Sequence, residues 1–157
     1  MELTFTAPSY ALLQAETQCW KCGQRTRATT IWVPSFTDAA DVEEPDDEPE
    51  TGGAATLRNV QDLGDQAADH IREVAPWLKP GHSETTKSTY WANHCQACDI
   101  IQGNCFVLGV NGPFFPQFPA EADALEVIAG RGPLSPNAVS AQSGWMAWIA
   151  DRLHGEQ

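Results

Sequence analysis

The sequence predicts an α+β fold in which a small antiparallel sheet is flanked by two helices. Two C-x-x-C pairs stand at residues 19–22 and 95–98 and are flanked by strand-like segments. Alternating side chains over 27–36 indicate a strand, whereas apolar residues at three- and four-residue steps over 56–78 indicate a helix. A chain of 157 residues with 42% hydrophobic residues has room for one core, so we expect a single domain over 1–157.

The two cysteine pairs are the strongest signal for a bound metal. Each C-x-x-C loop presents two thiolates on one face, and four thiolates make the tetrahedral sulfur set that zinc favours. Gly23, directly after the first pair, permits the tight turn that aims backbone N–H groups at the sulfurs. We therefore predict a structural zinc ion in a split four-cysteine zinc ribbon, with these ligands: Cys19, Cys22, Cys95 and Cys98.

The cysteines have two alternative interpretations, a pair of redox dithiols and a ligand set with other members. A pair of redox dithiols would need a βαβ context, which residues 19–22 lack. The fifth cysteine, Cys105, is interpreted as a small core residue rather than a ligand, and His94 as a residue outside the ligand set. Thiolate ligands indicate a reducing compartment, so we expect a cytoplasmic protein.

The segments around both pairs resemble a group of short bacterial proteins. The resemblance rests on ETQCWKCG at 16–23, YWANHCQAC at 90–98, QG at 102–103 and GPFFP at 112–116. That group carries a split zinc-ribbon-like unit of the form CWKCG…YW-x-NHC-x-x-C…QG…GPFFP. The resemblance implies zinc on the same four cysteines and brings no activity with it. The acidic segment and the C-terminal tryptophans lie outside it.

The first half of the chain is expected to hold two strands, an acidic insert and a helix. Residues 3–13 predict a short strand, and 27–36 predict the strand that leaves the first cysteine pair. Thr56 can cap a helix that runs to Ala75, where Pro76 ends it. Its apolar stripe consists of Leu57, Val60, Leu63, Ala67, Ile71, Val74 and Leu78.

The second half is expected to be built around the second cysteine pair. Residues 79–88 predict a polar connection, 89–92 a strand that enters the pair, and 104–110 a strand that leaves it. Residues 121–129 fit either a strand or a helix. Ser135-Pro136 predicts the first turn of a C-terminal helix, whose apolar stripe is Trp145, Trp148, Ile149 and Leu153. Trp145 and Trp148 belong either to the core or to an interface.

Most of the net negative charge lies in one segment. The net charge is −12, and eight of the 21 acidic residues fall between Asp38 and Glu50, which leaves 13 acidic against nine basic side chains elsewhere. Proline, glycine and acidic residues over 38–55 predict a flexible insert. Such a segment repels phosphate backbones and attracts a basic protein surface, unless it is only a solubilising loop. The predicted partner-binding residues are Asp41, Glu43, Glu44, Asp46, Asp47 and Glu48.

Nucleic-acid binding is an alternative function. A small cationic and aromatic patch surrounds the first cysteine pair and is formed by Trp20, Lys21, Arg25 and Arg27. So few basic residues make a thin electrostatic footprint on a chain with a net charge of −12. We therefore place this function second.

An enzyme is the third possibility, and the short catalytic and nucleotide-binding motifs do not support it. Asp65, Asp69 and Glu73 share one face of the predicted helix with His70 beside them, a pattern more typical of a solvated face. No apolar run approaches the ~18 residues of a membrane span. The sequence thus favours a non-enzymatic protein that captures a basic protein partner, of the inhibitor, immunity or antitoxin type; it does not determine the oligomeric state.

Overall fold

The structure is a computed structural model that describes residues 5–38, 50–83, 87–102, 125–134 and 137–141, together with Met146 and Ile149. Over these residues the chain is mostly antiparallel sheet with one helix. The predicted antiparallel sheet is therefore confirmed, although the sheet content is larger than expected. None of the helices in the described ranges is long and apolar enough to cross a membrane.

The described residues form these elements in chain order: β1 (Phe5–Thr6), β2 (Ala11–Gln18), β3 (Arg25–Val33), β4 (Phe36–Asp38), β5 (Glu50–Gly52), β6 (Ala55–Asp62), α1 (Asp65–Val74), β7 (Leu78–Ser83), β8 (Ser88–His94), β9 (Ile101–Gln102), β10 (Glu126–Ala129) and β11 (Asn137–Ala141). They make three sheets, in the orders β1-β4-β5, β10-β2-β3-β6-β11 and β7-β8-β9. Every pairing between these strands is antiparallel.

Strand β3 lies at the centre of the five-stranded sheet and is buried on both faces. Ile31 and Val33 enter the core cluster that α1 covers, and Trp32 enters the cluster on the opposite face. The Trp32 indole N–H also donates to the carbonyl oxygen of Met146 at 3.0 Å. The alternation predicted over 27–36 is confirmed as far as Val33, because β-branched and aromatic side chains fill both sides of β3. The strand ends there, and Phe36 begins β4 in another sheet.

The helix predicted over 56–75 is wrong in its first half, where residues 55–62 form β6. The register between β6 and β11 is irregular, since Asn137 faces Asp62 whereas Val139 faces Arg58. Leu57 and Val60 would point to opposite faces of a regular strand, yet both lie in the same core cluster. The bulged strand thus reproduces the three-residue spacing of a helix.

Three other segments differ from expectation. The polar connection predicted over 79–88 is wrong at its start, because residues 78–83 form β7 at the edge of its sheet, where Pro80 is tolerated. Residues 137–141 form β11 instead of the first turn of a C-terminal helix. The predicted insert over 38–55 is shorter than expected, because 50–52 pair with 36–38 and Ala55 begins β6. Residues 126–129 form a strand.

Several predicted features lie outside the described residues. They are the partner-binding residues Asp41, Glu43, Glu44, Asp46, Asp47 and Glu48, the strand at 104–110 with Cys105, and Trp145, Trp148 and Leu153. Of the C-terminal apolar stripe, Ile149 is described and is fully buried.

Candidate metal centre

Each cysteine pair lies at the tip of a β-hairpin. Residues 19–24 connect β2 to β3, which pair from Ala11 with Trp32 to Gln18 with Arg25. Residues 95–98 connect β8 to β9, which pair through Asn93 with Gln102 and His94 with Ile101. A hairpin tip projects both cysteines of its loop to one side, so two tips that meet can assemble four sulfurs.

The four predicted ligands converge. All Sγ atoms of Cys19, Cys22, Cys95 and Cys98 lie within 4.8 Å of one another, and all four thiols are free. The sulfur–sulfur distances between loops are 3.7 Å for Cys19 to Cys98 and 3.6 Å for Cys22 to Cys95. In a tetrahedral site with zinc–sulfur bonds of about 2.3 Å, two sulfurs lie about 3.8 Å apart. The cluster therefore fits a tetrahedral metal ion.

The backbones of the two loops follow the same hydrogen-bond pattern. In each loop the N–H of the first cysteine donates to the carbonyl oxygen five residues later, and its own carbonyl accepts from the N–H four residues later, at 2.8–3.1 Å. The residue after each pair has a positive φ, 75° at Gly23 and 65° at Asp99. The role predicted for Gly23 is confirmed, and Asp99 adopts the same left-handed conformation although it carries a side chain.

Hydrogen-bond donors surround the first sulfur of each loop. The backbone N–H groups two and three residues after Cys19 and after Cys95 lie 3.3–3.5 Å from those sulfurs. The buried side chain of Gln102 adds a donor, with its Nε2 3.3 Å from the Cys19 sulfur. Cys19 and Cys95 are buried, whereas Cys22 and Cys98 are exposed. Each loop therefore has a buried, hydrogen-bonded sulfur and an exposed sulfur.

The pKa values of the buried thiols, Cys19 and Cys95, are lowered, and those of the exposed thiols, Cys22 and Cys98, are raised. Burial raises the pKa of Cys19, but N–H donors from Cys22 and Lys21 and the Gln102 amide outweigh it and lower the pKa to about 6. The N–H of Gln24 favours the Cys22 thiolate, but burial and the neighbouring thiols raise its pKa to about 12. Four thiolates this close repel one another, so the fully ionised cluster requires a bound cation.

Side chains fasten each loop to the hairpin of the other. The indole N–H of Trp20 donates to the carbonyl oxygen of Ile101 at 2.9 Å, although half of the Trp20 side chain is exposed. Gln96 donates its N–H to the Thr26 hydroxyl at 3.0 Å and accepts from the Arg27 N–H at 3.1 Å. The two loops are therefore held together by these hydrogen bonds as well as by the contacts between their sulfurs.

The residues predicted for nucleic-acid binding lie around the first loop, but their charges are partly paired. Arg25 contacts Glu16 and Arg27 contacts Glu126, each at 2.9 Å. The guanidinium of Arg27 also stacks over the Trp77 ring at 5.7 Å. Because carboxylates partly neutralise both arginines, the positive field of this patch is weaker than the sequence indicates.

The carboxylates predicted as a third possibility do not surround His70. Asp65, Asp69 and Glu73 are exposed along α1, and the last two pair with arginines. His70 instead points into the core, where its Nδ1 lies 2.7 Å from the Tyr10 hydroxyl. This arrangement is that of a solvated helix face opposite a buried histidine.

Sequence reasoning missed the residues that support the cysteines. Gln102 and Asn93 stand in the segments that carry the resemblance, but neither was assigned a role. His94, adjacent to Cys95, is buried, and its Nδ1–H donates to the carbonyl oxygen of Ala92 at 2.8 Å. No family model, curated protein or solved structure matches this chain. Functional inference therefore rests on the site and on the charge distribution.

Proposed function

We propose that this chain is a non-enzymatic protein that binds a cationic protein partner and whose fold depends on one structural zinc ion. The zinc would be held by Cys19, Cys22, Cys95 and Cys98, which makes the two hairpins a split zinc ribbon. All four ligand positions are filled by protein sulfur, so no coordination position remains for a substrate or a water. This closed sulfur set favours a structural role.

The zinc ion would contribute much of the stability. Structural zinc binds zinc-finger peptides with about 10–16 kcal/mol, which is as large as the net stability of a typical domain. Here the metal would join hairpins whose cysteines are separated by 73 to 79 positions in the chain. Linking such distant segments stabilises a fold because the unlinked chain has many more conformations.

The observation that carries the partner proposal is the density of carboxylates between two paired strands. Eight acidic residues fall in the segment from Asp38 to Glu50, with both ends counted. These two residues face each other where β4 pairs with β5, so the acidic segment leaves and returns to the fold at adjacent points. So many carboxylates within thirteen residues, and no basic residue among them, would steer and hold a basic partner.

The ion pairs in the described part of the chain also favour a basic partner. Five basic side chains there are engaged with carboxylates: Arg25, Arg27, Arg72, Lys79 and Arg131. The pairing weakens the positive field of these residues, while the acidic segment contains no basic residue. An inhibitor, immunity protein or antitoxin for a basic protein fits this distribution.

The test compares two variants with the same change in net charge. Asp46→Asn, Asp47→Asn and Glu48→Gln together should weaken capture of a basic protein from the host lysate at least tenfold and flatten its salt dependence. The matched control neutralises Asp65, Asp69 and Glu73 on α1 and should retain binding. Equal affinities for both triple variants and the wild type would contradict the proposal.

A nucleic-acid-binding ribbon is the second candidate, and the exposed Trp20 favours it. Its indole ring is fixed by the hydrogen bond to the Ile101 carbonyl oxygen, and Lys21 is the next residue and is exposed. The exposed ring gives a base a surface on which to stack. If this function holds, single-stranded DNA binds in a salt-dependent manner, and Trp20→Ala or Arg27→Ala abolishes binding. Retained binding in both variants would exclude this patch as the interface.

A further inference from the structure

We infer that the cysteine cluster is also a site of oxidation, at which a two-electron oxidant such as hydrogen peroxide forms two disulfides between the loops and expels the metal. The predicted pairs are Cys22 with Cys95 and Cys19 with Cys98. This inference rests on the proposed zinc site, because the metal is what the oxidation releases.

All four sulfurs lie within 4.8 Å of one another, and two pairs between the loops are in direct contact. The Cys22 and Cys95 sulfurs are 3.6 Å apart, and those of Cys19 and Cys98 are 3.7 Å apart. A disulfide has a sulfur–sulfur bond of about 2.0 Å, so each pair needs to close by less than about 2 Å. Each pair also joins an exposed sulfur of one loop to a buried sulfur of the other.

The exposure of the sulfurs sets the order of the reaction. Cys22 and Cys98 are open to solvent, and a peroxide molecule can reach them without opening the fold. Cys19 and Cys95 are buried and are held in place by backbone donors. The exposed sulfur of each pair is therefore oxidised first, and the buried sulfur of the other loop then forms the disulfide with it.

Each disulfide forms in two steps. The exposed sulfur, which is a thiolate when the metal is bound, attacks one oxygen of hydrogen peroxide; the O–O bond breaks, and the sulfur becomes a sulfenic acid as hydroxide leaves. The buried thiolate then attacks that sulfur, which forms the S–S bond, breaks the S–O bond and releases a second hydroxide. Two thiolates are oxidised, and one peroxide takes up two protons and is reduced to two waters. When both pairs have reacted, no thiolate remains to hold the cation.

The two disulfides would replace the metal as the link between the hairpins. Each one closes a loop of more than seventy residues, and such closure stabilises a fold by restricting the unfolded chain. Bonds within a loop, Cys19 to Cys22 and Cys95 to Cys98, would leave the hairpins unlinked. The cross-loop pairing therefore predicts that the oxidised protein keeps its fold while it loses zinc.

The experiment treats the zinc-loaded full chain with hydrogen peroxide and follows metal, thiols and disulfides together. Cys105→Ser is introduced throughout so that the fifth cysteine takes no part, and the wild type is compared. We expect one zinc released and four thiols lost per chain, with circular dichroism unchanged and with recovery after dithiothreitol and zinc. At substoichiometric peroxide, dimedone should label Cys22 and Cys98 in preference to Cys19 and Cys95.

Peptide mapping identifies the pairs. Lys21 stands between Cys19 and Cys22, so trypsin separates these two, and fragmentation between residues 96 and 97 separates Cys95 from Cys98. Disulfides within each loop, or zinc retained after peroxide, would overturn the inference. If the reduced chain binds no zinc, the proposed function fails, while mapping the oxidised metal-free chain still decides the pairing.

Discussion

The side-chain amide of Asn93 binds both backbone polar groups of Thr29. Its Nδ2 donates to the Thr29 carbonyl oxygen at 2.9 Å, and its Oδ1 accepts from the Thr29 N–H at 2.8 Å. Asn93 is in β8, two residues before Cys95, and Thr29 is in β3, which follows the first cysteine pair. A side chain thus takes the place of a neighbouring strand.

This contact exists because the edge of β3 is incompletely paired. Among the described residues, β6 pairs with β3 only at Trp32 and Val33. Nearer the cysteines, the N–H groups of Thr29 and Arg27 are bound by the amides of Asn93 and Gln96. Buried backbone groups must find partners, so these amides align the second hairpin with the first. The two halves of the cysteine cluster are therefore positioned by hydrogen bonds of the protein.

Asn93→Ala should destabilise the fold by about 2–4 kcal/mol, because it leaves two buried backbone groups without partners. Gln96→Ala removes the equivalent contact at an exposed position and should cost about 1 kcal/mol. Urea unfolding of the zinc-loaded proteins measures both. Equal losses for the two variants would show that burial of the Thr29 contact does not determine its contribution.

Asp99→Gly should leave stability within about 1 kcal/mol of the wild type, because glycine adopts the positive φ of 65° without strain. Asp99→Val introduces a branch at Cβ at that φ and should cost about 1–3 kcal/mol. Lys79→Ala is the control for the lost ion pair, which is exposed and contributes about 0–1 kcal/mol. Thermal unfolding should show Asp99→Val as the least stable of the three variants, and an Asp99→Val protein as stable as Asp99→Gly would contradict the account.

Gly130→Ala should destabilise the fold by about 1–3 kcal/mol through overpacking. A Cβ at this position would overlap the carbonyl oxygen of Tyr10 and come within 2.8 Å of its ring. The backbone is held there because the Gly130 N–H donates to that same oxygen at 2.8 Å. Gly53→Ala is the matched control, since no heavy atom lies within 4 Å of its added Cβ. Similar melting temperatures for the two variants would refute the close approach.

Stability should fall as the pH drops through about 6.5, the ordinary pKa of histidine. Burial lowers the pKa of His70, Arg131 acts in the same direction, and Glu73 opposes them. The unfolded chain therefore takes up a proton at a higher pH than the folded chain, so unfolding becomes more favourable as pH falls. The Tyr10 hydroxyl is the hydrogen-bond partner of the buried ring.

The measurement is urea unfolding at pH 7.5 and pH 5.5 for the wild type and His70→Gln. Protonation of the thiolate cluster lowers the stability of both proteins, so the difference between their pH dependences isolates the imidazole. The wild type should lose more stability than the variant over this interval. Identical losses would show that His70 does not titrate differently in the folded state.

The convergence of the cysteines could be predicted because a C-x-x-C loop encodes its own geometry locally. The strand over 55–62 could not, because the bulge that puts Leu57 and Val60 into one cluster depends on pairing with β11, a distant segment. Asn93 has its role for a similar reason, since nothing near it in sequence indicates that the edge of β3 is open. Local chemistry is readable from residue spacing, whereas the partners of buried polar groups depend on tertiary pairing.

The central claim is that the four cysteines hold one zinc ion, and zinc X-ray absorption spectroscopy tests it most directly. The account predicts one zinc per purified chain, surrounded by four sulfurs at about 2.3 Å, and loss of this signal in Cys22→Ser. Less than stoichiometric metal in the wild type, or a shell that contains nitrogen or oxygen in place of sulfur, would contradict it.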